Sequence, residues 1–245
     1  MQQIFVLTLR ALGCGRRLLA VGVLLAVPAL LSIAYSASGG AGRGDGGRFA
    51  IELFGQLVLP ILLPLTALIF ATSALGGEVE DRTLIYLTLR PVSRLVIVVA
   101  KLCAVALLTL GFVEVSLAVT YLIAARGAGD GHALGAILLG GACGALAYAS
   151  LFLLVGLLAP RRALIVGFLY VLVWEGVAAG FSTALATLSV RRYVQGALHA
   201  GLGSSPLASA QPSSVTGAAS LVVLTLVVLG GIALTALRLH RLELP

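Results

Sequence analysis

The residue types that do chemistry are scarce in this sequence, and none is spaced for it. A phosphate-cradling loop needs G-x-x-x-x-G-K-[ST], yet the single lysine, Lys101, follows Ala100 and precedes Leu102. Without that loop there is no nest of backbone N–H groups for phosphates. His132, His199 and His240 fall in connecting stretches or the tail, never in the middle of an apolar run. A Ser–His pair working inside a bilayer, as an intramembrane protease would need, is therefore not expected. Cys14, Cys103 and Cys143 match no metal or redox spacing, and an odd count gives no disulfide framework. They read as small core residues. No catalytic residue, metal or cofactor is expected on this chain, which looks like a path or a scaffold whose energy source lies elsewhere.

Two carboxylates stand out because they sit inside apolar runs: Glu114, and Glu175 after Trp174. A charge in hydrocarbon costs at least about 2.5 kcal/mol, so such residues face a bundle or a wet cavity. One reading makes them a polar lining, gate or cation contact on a transport path. The other makes them helix-to-helix hydrogen bonds, or neutral acids.

The densest constellation is Gly76-Gly77-Glu78-Val79-Glu80-Asp81-Arg82-Thr83-Leu84-Ile85-Tyr86-Leu87-Thr88-Leu89-Arg90-Pro91-Val92-Ser93-Arg94. Gly76 and Gly77 suit a helix end. Glu78, Glu80 and Asp81 favour the positive N-terminus of a short helix. Pro91 stops that helix, and Ser93 can cap the next one. A short helix held between two longer ones is expected.

What must position these groups is membrane helix. The chain of 245 residues is 60% hydrophobic and 10% charged, with mean hydropathy +1.13. Soluble domains carry about a quarter charged residues, so lipid must solvate most of this surface. The net charge of +7 comes from Arg in ones and twos at the ends of apolar runs, not from a basic stripe that would bind nucleic acid. Runs of about 20 apolar residues cross a bilayer. Six are expected, at about 18–36, 53–75, 95–124, 134–159, 163–180 and 216–237.

With the N-terminus inside, the inner side holds Arg10, Arg16, Arg17, Arg82, Arg90, Arg94, Lys101, Arg161, Arg162, Arg238 and Arg241, and the outer side Arg43, Arg48, Arg126, Arg191 and Arg192. Eleven against five places both termini in the cytoplasm. One transmembrane domain over 1–245 is expected, with an interfacial helix at 1–17 and an extracytoplasmic segment at 181–215 carrying short outer-face helices. The first run ends in Tyr35-Ser36-Ala37-Ser38 but is long for a cleaved signal peptide, so it should be retained. Arg43-Gly44-Asp45 in a Gly-rich loop reads as a chance tripeptide. Pro60 and Pro64, about one turn apart, should kink the second span. Ala136, Gly140 and Gly144 share one face of the fourth, with Gly141, Ala145 and Ala149 adjoining, a spacing for close helix packing or a dimer seam. One Lys against fifteen Arg, with abundant Ala and Gly, fits GC-rich codons and a bacterial source.

The 76–94 loop resembles the signature of the ABC-type-2 permeases, the membrane subunits of one class of ATP-driven exporters. Their pattern runs from a Glu with acidic neighbours through Gly-Thr-Leu and an apolar stretch to Pro-[Val/Ile]-Ser-Arg, then a Lys inside the next span. Glu78, Glu80, Asp81, Thr83, Leu84, Pro91, Val92, Ser93, Arg94 and Lys101 match it, while Arg82 replaces the usual Gly. Six spans, inner termini and an N-terminal interfacial helix extend the resemblance over essentially the whole chain. It implies that Glu78, Glu80, Asp81, Arg82, Thr83, Arg90, Pro91, Ser93 and Arg94 form a coupling helix docked on a separate ATPase. It also implies two ATPase copies holding ATP and Mg, a second permease copy (a homodimer), and the bacterial inner membrane. The competing expectations are a secondary transporter using an ion gradient at Glu114 and Glu175, and a scaffold, which would leave those carboxylates unexplained.

Overall fold

The computed structural model describes residues 2–12, 16–39, 45–76, 94–126, 130–178, 186–203, 205–210 and 215–241, and among them every regular element is helical. The elements are α1 (Gln2–Leu12), α2 (Arg16–Ala37), α3 (Gly46–Leu75), α4 (Arg94–Ala125), α5 (Gly131–Leu158), α6 (Ala163–Leu169, continued by wider turns over Tyr170–Ala178), α7 (Val190–Leu202) and α8 (Gly217–Arg241). Five of them, α2, α3, α4, α5 and α8, are long and apolar enough to cross a membrane. The protein is a multi-pass membrane protein. Of the expected span at 163–180, the described residues 163–178 are helical.

The second span starts at Gly46, seven residues before the expected position. Its first two turns mix apolar residues with two glycines and an Arg48–Glu52 ion pair at 3.0 Å. They extend the helix past the apolar stretch that a hydropathy reading detects. Gly46 is there because nothing larger fits: a Cβ would lie 2.1 Å from the carbonyl oxygen of Ala124 in α4. At Pro60 and Pro64, where a kink was expected, the helix changes its winding. Phe54–Leu62 forms wide π-type turns around Pro60, and α-helix resumes at Leu63, with Pro64 in its first turn. A proline ring collides with the carbonyl four residues back, and wider turns relieve that collision.

Contacts between helices fix their directions. Ser116 Oγ donates to Leu25 O at 2.7 Å and Ser36 Oγ to Ile123 O at 2.9 Å, so α2 and α4 run parallel. α3 runs opposite to α4, since Gly46 meets Ala124 at one end and Ala74 meets Lys101 at the other. α5 and α8 run parallel, with Ser220 beside Gly196 of α7 and Gly231 against Ser150. A chain leaving α5 must therefore travel back along the bundle before α8 begins.

That return is made by α6 and α7, and α5 is the post they climb. α5 packs on α3, α4, α7 and α8. Its small-residue face is used inside the chain. Gly140 lies beneath the Phe54 ring, Gly144 against Leu63 and Val194, and Ala136 against Gly201. Sequence reasoning placed short helices of 181–215 on the outer face. α7 instead lies antiparallel to α5, with Val194 level with Gly144, 13 residues from the start of α5, or about 20 Å into the bundle. Val194, Ala197 and Leu198 are fully buried, and the glycines of α5 create the trough that admits them. Alternating small and apolar residues in 186–202 look surface-like only because their partners, Gly140 and Gly144, are remote in sequence.

α1 packs on α4 and beside the end of α3. Thr8 and Leu12 are buried while Val6, Leu7 and Arg10 are exposed, the one-sided pattern of a helix lying along a surface.

Candidate functional site

Glu175 lies in the wide turns ending α6 and is fully buried. Its Oε2 accepts the Ser189 hydroxyl at 2.5 Å and the Arg191 N–H at 3.3 Å, while Oε1 accepts the Val190 N–H and the Tyr170 hydroxyl, each at 3.1 Å. Ser189, with extended backbone, precedes the first turn of α7 but makes no side-chain cap to that helix. The carboxylate of Glu175 caps it instead. Negative charge at a helix N-terminus meets the positive end of the dipole and satisfies two orphan donors. The C-terminal turns of α6 are thereby joined to the start of α7 within the bundle. Tyr148 and Phe152 of α5 wall this junction, with Phe152 6.0 Å from each of the Tyr148 and Tyr170 rings.

Arg191 links the junction to α3. One Nη2 hydrogen is donated to the carbonyl oxygen of Gly55 at 3.0 Å. With hydrogen bonds running from residue i to i+5 in those turns, the donor due at Gly55 is residue 60, a proline with no N–H. The guanidinium fills the vacancy that Pro60 leaves. A charge count assigned Arg191 to the outer loops. The structure puts it between α7 and α3, on a task that neither its charge nor its neighbours reveal.

Glu114 is the contrasting carboxylate. It sits half-buried on α4, against Gly141 of α5, where an added Cβ would be 2.8 Å from Oε1. That oxygen is buried and accepts no hydrogen bond among the described residues. Glu114 and Glu175 do not come together: one faces α5 from α4, the other closes the α6–α7 junction.

At the opposite end of α4, the fully buried Lys101 donates Nζ–H to Ala74 O at 2.6 Å. Ala74 lies in the last turn of α3, three residues before 77–93. Of the candidate coupling residues, Glu78, Glu80, Asp81, Arg82, Thr83, Arg90, Pro91 and Ser93 lie outside the described residues, and Arg94 is described only as the backbone opening α4. Sequence reasoning missed Tyr170, Ser189, Val190, Arg191, Gly55 and Ala74 as members of these networks. Only Ser189 carried a local signal, as a serine placed before a helical pattern.

Among the described residues no three His, Cys, Asp or Glu side chains gather as metal ligands would. The arrangement holds helices at fixed relative positions and leaves one carboxyl oxygen open. No curated protein matches the chain at a significant level. The family model of the ABC-2 family transporter proteins matches residues 16–188, from the start of α2 to the residue before Ser189. That match covers well over half of the sequence, and the chain belongs to this family of transporter membrane proteins as a permease of an ABC transporter.

Proposed function

We propose that this permease is the membrane subunit of an ATP-driven exporter, working as a homodimer in a bacterial inner membrane with two copies of a separate ATPase. The observation that carries the reading is residues 76–94, an acid-rich segment with a Pro-Val-Ser-Arg stop, sited between the facing ends of α3 and α4. Connection alone does not need so much: the turn from α5 to α6 is made by Pro160–Arg162. The ATPase would hold ATP and Mg, close on them, and push the 76–94 segment, with Glu78, Glu80, Asp81, Arg82, Thr83, Arg90, Pro91, Ser93 and Arg94 at the contact. Six crossings with both termini inside fit the parallel course of α5 and α8, α6 and α7 together making the fifth as a broken passage. The exposed Val6, Leu7 and Arg10 of α1 suit the inner interface.

Of the two carboxylates proposed for the translocation path, Glu114 has the open oxygen and is better fitted to meet cargo. Glu175 has both oxygens engaged within the protein and would act there by holding α7 in place. The same open oxygen favours the one alternative, transport driven by an ion gradient.

Charge reversal tests the docking. Truncating one partner of a desolvated charge pair costs about 2–5 kcal/mol, which weakens binding by well over tenfold. Asp81→Lys or Glu78→Lys should leave the permease inserted and dimeric but remove ATPase co-purification. Asp45→Lys, at the other end of α3, should do neither. Loop variants that bind and stimulate the ATPase like the wild type would move the ion-driven reading to first place.

A further inference from the structure

We infer that Lys101 is a positioning residue that clamps the ends of α3 and α4 into one rigid base, so that displacement of the 76–94 segment moves both helices together. The inference deepens the coupling reading above and rests on it. Lys101 is the only lysine in the chain, lies seven residues into α4 and is completely buried. Its stem runs inside the protein, and Nζ meets Ala74 O at 2.6 Å.

The carbonyl it meets lies in the last described turns of α3, Thr72–Gly76, which are wound wider than an α-helix. Such irregular turns are where a side chain inserts into a helix's hydrogen-bond ladder. Thr72 and Ser73 cannot help, because their hydroxyls donate backwards to Leu68 O and Ile69 O, each at 2.7 Å. An ammonium donor makes a charge-assisted hydrogen bond to that carbonyl, stronger than a neutral side chain would make. The turn so held is packed against α5, α1 and the Pro160–Arg162 turn, with Ala74 and Leu75 buried. The segment that follows Gly76 therefore leaves from a fixed root, and the one that ends at Arg94 returns seven residues from the clamp.

The experiment uses the full permease with its ATPase in lipid nanodiscs. Lys101→Met keeps the stem and removes the charge and donors, whereas Lys101→Arg keeps both. Spin labels on Ser73→Cys and Leu95→Cys, in a background with Cys14, Cys103 and Cys143 replaced, report the distance across the base. Loss of one charge-assisted hydrogen bond shifts an equilibrium about tenfold or more. Lys101→Met should still bind the ATPase, lose at least about tenfold of transport-coupled hydrolysis, and broaden the label distance, while Lys101→Arg retains most coupling. In the wild type that distance should stay constant between nucleotide-free and ATP-trapped complexes.

A Met variant that couples normally overturns the inference alone. So does a wild-type distance that shifts with nucleotide, a measurement that decides the matter even if Lys101→Met fails to insert. A wild-type chain that binds no ATPase overturns the coupling reading and this inference with it.

Discussion

Removing the carboxylate of Glu175 should detach α7 from the bundle before anything else fails. Four donors converge on it: the Ser189 and Tyr170 hydroxyls and the Val190 and Arg191 N–H groups. In Glu175→Ala the hydroxyls can turn to other acceptors, but two backbone N–H groups at a helix start cannot. Two buried N–H groups left unsatisfied at about 1–3 kcal/mol each put the cost at about 2–6 kcal/mol. Glu175→Gln should cost about 1–3 kcal/mol. Its amide oxygen can keep Val190, the amide NH2 can donate to a rotated Ser189 hydroxyl, and only the long 3.3 Å bond from Arg191 is lost. Thermal unfolding in nanodiscs should rank wild type above Gln above Ala. Maleimide labelling of a cysteine at Ala197, fully buried in the native chain, should accelerate in the same order. If Glu175→Ala keeps both the unfolding temperature and the protection of residue 197, the carboxylate does not hold α7.

Two further outcomes follow from the geometry. Arg191→Leu should destabilise the protein by about 1–3 kcal/mol by orphaning Gly55 O, and the loss should shrink in a Pro60→Ala background, where residue 60 regains an N–H. An additive double-mutant cycle would show that the arginine is not filling the proline's vacancy. Alkaline-phosphatase fusions after residues 45, 130 or 205 should be active and those after 88, 161 or 245 inactive, as the count of eleven against five requires. Activity at 88 would invert the map and place the 76–94 segment where no ATPase could reach it.

The apolar runs of this sequence determined five crossing helices, four to within about four residues and the second to within seven at its start, because hydrocarbon thickness imposes a length and a composition that neighbours cannot override. That Pro60 would disturb its own helix was legible too, since a missing N–H acts locally, although the form it takes, wider turns, was not. The small-residue face of Ala136, Gly140 and Gly144 announced close packing, but not with whom. Pairing, depth and the fate of buried polar groups belonged to the tertiary structure. That α7 sinks about 20 Å beside α5 depends on a fit between Val194 and Gly144, 50 residues apart. That Glu175 caps α7 depends on hydrogen bonds crossing 14 to 16 residues, and that Arg191 serves Gly55 on one crossing 136. A carboxylate in an apolar run is costly wherever it sits, so the sequence shows that Glu114 and Glu175 need a reason to be there. Only the fold separates them, surrounding one with four donors and leaving the buried oxygen of the other open, because donors are supplied by whichever backbone the chain happens to bring alongside.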